Sequence, residues 1–131
     1  MSVDEEGMRA LTVKQPWAWA ILYAGKDIEN RGWRTRYRGP LVIHSGARLH
    51  EARKMPRGAR AVPDDFVFSA MLGVVELVDV VERSRSKWFE GPFGWVLRNP
   101  RPFSRPIPCP GRLGLWQPTP SQLRAIVRRL A

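Results

Sequence analysis

Lys26, Glu29 and Arg31 fall within six residues of one another in the run AGKDIENRGW. An ammonium, a carboxylate and a guanidinium at that spacing can grip a nucleotide. The carboxylate accepts from an exocyclic amine such as cytosine N4, and the cations hold carbonyl or phosphate oxygens. The plainer alternative is an ion pair between Glu29 and Arg31, two apart on one strand face, beside Lys26. Trp17, Trp33 and Trp95 offer rings on which a base can stack. Trp33, flanked by Arg31 and Arg34, is the indole best suited to an exposed role, whereas Trp19, Trp95 and Trp116 read more readily as core.

Other groups nearby widen the possibilities. Gln15 and Pro16 open a helix whose first N–H groups could meet an anion, Ser45 could add a hydroxyl, and Arg34 and Arg38 extend the basic surface. If the site hydrolyses an amide, Glu29 would activate water and Lys26 would stabilise the oxyanion. His44 is then an acid/base candidate near neutral pH, although it reads more readily as a hydrogen-bonded strand residue. A metal-dependent nuclease needs more carboxylates than this region supplies.

The chain has 131 residues, the size of one ordinary domain. Twenty-two Lys and Arg against 12 Asp and Glu leave a net charge of +10, a field that attracts polyanions and makes their binding salt-dependent. Arg31, Arg34, Arg36 and Arg38 form one cluster, and Arg98, Arg101, Arg105 and Arg112 line a proline-rich segment. Arg53, Lys54, Arg57 and Arg60 make a further patch. Cys109 is the single cysteine, which excludes an intrachain disulfide and a thiolate-rich zinc site. No metal or cofactor is expected, because His44 and His50 lack a ligand pattern. No apolar run approaches the roughly 20 residues of a membrane span, and the acidic start MSVDEEGMRA does not resemble a signal peptide, so a cytoplasmic location is expected.

Elements that could position these groups follow from pattern. Residues 1–8 are polar and expected to be disordered, with a single domain over 9–131. A strand at 10–13 precedes a helix from Pro16 to about Ala24, with Trp17, Ala20, Ile21 and Ala24 on its core face and Gly25 as its stop. Alternation over 27–33 predicts a strand with Glu29 and Arg31 on one side. A turn at 37–40, a strand at 41–44, a short helix at 48–54 and a mobile loop at 55–65 follow. The run 68–81 reads as a long strand with a bulge at Gly73. A loop at 84–92 holds Trp88 and Phe89, a strand follows at 94–97, and five prolines confine 100–110 to an extended edge or loop path. A last strand at 114–116 leads to a helix capped at Thr119-Pro120 and ending in Arg128 and Arg129. Five or six short strands with two or three peripheral helices, and no βαβ series, predict an α+β domain built on a small barrel or curved sheet.

The segments TVKQPWAWAIL, YRGPLVIHSG, GVVELVDV, FGWVL and RPIPCPGRLGLW, together with the signature GxKxxExR around Lys26, Glu29 and Arg31, resemble the ASCH domain, of the small stand-alone bacterial or phage type. This family is a branch of the PUA-like superfamily of small β-barrels that bind RNA or modified bases, and the match runs over about 11–116. Ala24 stands where the signature usually has glycine, with Gly25 one place later. The resemblance implies a PUA-like barrel and a choice of functions. Foremost is a nucleic-acid-binding module holding single-stranded RNA or a modified nucleobase in a basic cleft. An amidohydrolase of N4-acylated cytidine-type nucleosides is the first alternative, with its catalytic lysine at Lys26 but Glu29 in place of its threonine. A ribonuclease or a protein-interaction domain is the other.

Overall fold

The computed structural model of the protein describes residues 7–50 and 65–131. Leu11 and Val13 alternate with Ala10 and Thr12 in β1 (Arg9–Gln15), and Pro16, which has no N–H to offer a ladder, ends it. Pro16 is the residue before α1 (Trp17–Tyr23) rather than its first turn, and its carbonyl accepts from Ala20 N at 2.9 Å. Gly25 supplies the φ of +73° that reverses the chain, so that Lys26 N bonds the Ala20 carbonyl at 3.0 Å. The left-handed turn therefore falls on Gly25, and Ala24 in the preceding place is accommodated.

Five strands follow or flank this helix: β2 (Ile28–Arg31), β3 (Gly39–Leu49), β4 (Ala70–Val81), β5 (Phe93–Pro108) and β6 (Leu115–Trp116), with α2 (Pro120–Leu130) at the end. They form one six-stranded sheet in the order β2-β5-β4-β3-β1-β6, in which only β1 and β3 run parallel. Arg31 of β2 nevertheless donates to the Thr12 carbonyl of β1 at 2.9 Å, with three strands between them in sheet order, so the sheet must curl into a half-barrel. The expected α+β architecture on a curved sheet is the one observed, with two helices among the described residues.

Period-2 alternation sorts the apolar side chains onto the two faces. Leu11, Val13, Leu41, Ile43, Val75, Leu77, Trp95 and Leu97 fill the inside of the curl with Ala18, Ile21 and Leu22 of α1. Ala10, Val42, Met71, Val74, Phe103 and Ile107 face the other way, against Trp116 and Leu123 and Ile126 of α2. Met8, assigned by sequence to the polar tail, is fully buried in that outer cluster; residues 1–6 lie outside the described residues. Thr119 caps α2 as expected, accepting from Gln122 N at 3.1 Å, and the Gln122 side chain answers by accepting from Thr119 N at 2.9 Å. Among the described residues no helix is long and apolar enough to cross a membrane.

Two expectations change. The predicted helix at 48–54 begins instead as strand, because β3 continues to Leu49 and pairs there with Gln15 past an irregularity in β1. Residues 51–54 of that segment, most of the loop at 55–65 and the patch of Arg53, Lys54, Arg57 and Arg60 lie outside the described residues. The short strand at 94–97 and the proline segment prove to be one strand, β5. It tolerates Pro100, Pro102, Pro106 and Pro108 because β2 pairs only with Phe93 to Val96, leaving the remainder an edge whose outer side needs no N–H.

The predicted bulge at Gly73 is present, with the β4–β5 register shifting between Met71 and Gly73. A Cβ there would come within 2.7 Å of the Arg101 carbonyl and 2.9 Å of Pro102 Cα and Leu22 Cδ2. Two of those atoms are backbone, so Gly73→Ala is expected to destabilise by about 2 kcal/mol. Urea denaturation of the two proteins measures this, and an unchanged midpoint would contradict the close approach of β4 and β5.

Candidate functional site

Alternation along β2 turns Glu29 and Arg31 to the same side, and the Gly25 turn delivers Lys26 beside them. Lys26 Nζ stands 3.4 Å from Glu29 Oε1 and donates to the Ile28 carbonyl, while Arg31 Nη2 stands 3.0 Å from Glu29 Oε2. Each carboxylate oxygen thus faces its own cation. Lys26 and Glu29 are buried, whereas Arg31 keeps about a quarter of its side chain exposed.

The cluster opens onto a cavity of about 800 Å³. Thr12, Val13 and Lys14 from the end of β1, and Gly46, Ala47 and Arg48 from the parallel end of β3, form one wall. Trp17 comes from α1, with His50 beside it at 5.9 Å between ring centroids. Lys87, Trp88 and Glu90 reach in from the 84–92 loop, and Arg112, Leu113 and Gly114 from the loop before β6. Six Lys and Arg side chains line the space against two glutamates, so the cavity carries positive potential into a low-dielectric hollow. Among the described residues no group of three or more His, Cys, Asp or Glu could hold a metal ion.

The Lys26 ammonium lies 5.9 Å from the Trp17 ring centroid and 5.8 Å from that of Trp88, within cation–π range of both. Burial pushes its pKa below the ordinary lysine value. The charge and hydrogen bond of Glu29, and more weakly the charge of Glu90, oppose that shift without cancelling it. Lys26 is consequently easier to deprotonate than a surface lysine.

Trp88 reaches Lys26 because β2 holds the 84–92 loop in place. Asn30 Nδ2 donates to the Trp88 carbonyl at 3.0 Å, and its Oδ1 accepts from Glu90 N at 2.8 Å and Gly91 N at 3.1 Å. Ser86 Oγ donates to Asp27 Oδ1 at 2.5 Å and accepts from Trp88 N at 3.2 Å. One four-residue strand therefore carries two charged members of the cluster and the clamp for its second indole.

Of the residues singled out from sequence, Lys26, Glu29, Arg31 and Trp17 meet at the cavity. Gln15, Pro16, His44, Ser45, Trp33, Arg34 and Arg38 are not among its lining. Gln15 is buried, with Oε1 accepting from Trp19 N at 2.9 Å and Nε2 donating to the Val67 carbonyl at 2.9 Å, so it occupies the helix start that an anion would have used. Ser45 Oγ stitches β3 to β4 through Ala70 N and O at 3.3 and 3.2 Å. His44 Nε2 donates to the Cys109 carbonyl at 2.8 Å, which leaves Nδ1 to accept from Thr12 Oγ1 at 3.2 Å. Arg38 is turned to the Thr35 and Tyr37 carbonyls and to Asp79, and Trp95 is fully buried. Sequence reasoning missed Lys14, Trp88, Lys87 and Leu113 as companions of Lys26. Trp88 was visible only as an aromatic in a loop, since its link to Asn30 spans 58 residues.

The ASCH domain family matches residues 11–106, a span that contains the Lys26, Glu29 and Arg31 cluster. The chain belongs to the ASCH domain family. This ASCH domain is similar to the crystal structure of ASCH from Zymomonas mobilis, with a TM-score of 0.60 and 14% identity over 95% of this chain and 96% of that one. A mutant of the same Zymomonas protein gives a TM-score of 0.59 at 14% identity, over 96% of this chain and 98% of that one. Likeness at such identity is a likeness of fold. Activating signal cointegrator 1 of Homo sapiens is 27% identical over 130 residues, 86% of this chain, and its Mus musculus counterpart 25% over the same share. The chain spans 22% of the length of each.

Two outcomes test the roles assigned here. Lys26→Met keeps an apolar stem between two indoles but leaves the buried Glu29 Oε1 and the Ile28 carbonyl without their donor, so the variant is expected to melt lower than the wild type. An unchanged Tm would show that the pairing of the ammonium does no more than offset its burial. Burial also lowers the His44 pKa below the ordinary 6.5, against the opposing pull of the Cys109 carbonyl. Below about pH 6.5 the unfolded chain binds the proton more readily than the folded one, so His44 makes stability fall as pH falls through the range down to its folded pKa. His44→Gln is expected to flatten that part of the stability–pH curve, and denaturant titrations between pH 7 and 5 read it directly.

Proposed function

We propose that this ASCH domain is a nucleic-acid-binding module that holds single-stranded RNA, or a modified nucleobase, in the basic cavity around Lys26, Glu29 and Arg31. The observation that carries the reading is the convergence of six cations on one hollow that also presents Trp17 and Trp88. A ligand suited to it combines an aromatic ring with negative charge, and a nucleotide does so. The cations at its mouth, Lys14, Arg48, Lys87 and Arg112, suit phosphate oxygens. Lys26 and Arg31 suit a phosphate or a base carbonyl, and the second lone pair on each Glu29 oxygen remains suited to an exocyclic amine.

A hydrolase acting on an N4-acylated cytidine-type nucleoside is the second reading, favoured by the depressed pKa of Lys26 beside a carboxylate. Against it stands the geometry of Glu29, each of whose oxygens is already turned to a cation of the cluster.

Incubation with short single-stranded RNAs and a panel of modified nucleosides, followed by retention measurements and product masses, separates the readings. Retention without conversion is expected. Affinity for RNA should fall log-linearly with salt, and Arg112→Ala should reduce that slope by about 1. Conversion abolished by Lys26→Ala would transfer the case to the hydrolase, and absence of binding even at about 50 mM salt would remove the nucleic-acid reading.

A further inference from the structure

We propose that the segment between β2 and β3 carries a second binding surface, a stacking platform on Trp33 that holds the nucleotide adjacent to one seated in the cavity. The inference rests on the cavity reading and adds to it that the ligand is a strand rather than a free nucleoside.

Trp33 is 38% exposed, and its ring is held in place. It packs edge-on against Trp95, with 4.8 Å between centroids and 86° between planes, and its carbonyl accepts from Trp95 Nε1 at 3.1 Å. Trp95 is fully buried, so the exposed indole is fastened to the core. A ring fixed in this way loses little conformational freedom when a base stacks on it.

The platform adjoins the cavity through the sheet. Trp95, which supports Trp33, is the ladder partner of Glu29; Phe93, whose ring lies 5.2 Å beneath the Arg34 guanidinium, is the ladder partner of Arg31. The two groups that face the cavity from β2 and the two rings that support the platform are cross-strand neighbours. Arg31 and Trp33 are two positions apart, at most about 7 Å of extended backbone.

Charge identifies the occupant. Residues 31–38 contain four arginines and no acidic residue, and Arg36 is exposed. An indole flanked by the exposed Arg34 and Arg36 suits a strand that alternates phosphate and base. A second copy of a chain with net charge +10 would meet like charge.

The test compares wild type, Trp33→Ala, Trp33→Phe and Arg36→Glu by calorimetric titration with cytidine 5′-monophosphate and with a mixed-sequence trinucleotide and hexanucleotide RNA. Thermal melts accompany each variant. The trinucleotide should bind the wild type at least tenfold more tightly than the mononucleotide. Trp33→Ala should remove about tenfold of that gain, within the range of one base stacked on an aromatic ring, and leave mononucleotide affinity within about twofold. Trp33→Phe should recover most of the gain, and Arg36→Glu, a substitution at an exposed position, should weaken the RNAs more than the mononucleotide. Trinucleotide affinity unchanged in Trp33→Ala, equal losses for both ligand sizes, or a change in the sedimentation mass of the free protein would overturn the platform while leaving the cavity reading intact. If the wild type binds none of the probes, the cavity reading itself fails and the platform with it.

Discussion

Arg31 ties the edge strand β2 back to β1, with one guanidinium nitrogen 2.9 Å from the Thr12 carbonyl and 3.0 Å from Glu29 Oε2. The sheet has no ladder between these strands, so this charge-assisted bridge helps to span the open side of the curl. The cavity lies where that bridge crosses, bounded by the end of β1 on one side and by β2 with its clamped loop on the other. The ion pair and the ligand-binding cluster, alternatives when only the sequence is considered, are thus the same atoms in two roles. Glu29 orients both cations, and Arg31 retains enough exposure to meet a ligand.

Such a cluster costs the fold something. Removing charges from water is expensive unless each is paired, and Lys26 shows the imbalance directly, since burial outweighs the attraction of Glu29 and lowers its pKa. An apolar side chain between Trp17 and Trp88 would avoid that cost. A buried ammonium in a hollow, retained against its own desolvation, is the kind of local frustration that functional sites carry and the surrounding core offsets. Here the offset comes from the inner cluster around the fully buried Trp95, which also fixes Trp33 at the surface.

Several polar groups that look reactive in sequence serve geometry instead. His44, Thr12 and Trp116 form a chain of hydrogen bonds, with Trp116 Nε1 3.3 Å from Thr12 Oγ1, that fastens Cys109 and β6 at the two ends of the segment bearing Arg112 and Leu113. A Cβ at Gly111 would come within 2.7 Å of Thr12 Oγ1 and 2.9 Å of the His44 ring, so that segment passes close over both. Gln15 fixes the start of α1, and Asn30 fixes the loop that carries Trp88. Each is a short polar side chain answering buried or constrained backbone groups, a demand that follows from packing.

Sequence determined what depends on neighbours along the chain. Alternation put Glu29 and Arg31 on one face, Gly25 stopped the helix, Thr119 capped α2, and Gly73 marked the bulge; the signature motifs together identified the ASCH fold. Contacts between distant segments belonged to tertiary structure. Curling of the sheet brought Trp88, Lys14 and Arg112 to Lys26 and turned His44 and Ser45 into the framework, while pairing with β1 kept residues 48 and 49 extended. Residue order records the period of a strand, but which strands neighbour one another, and which polar groups lose their water, is set only when the apolar faces close on each other.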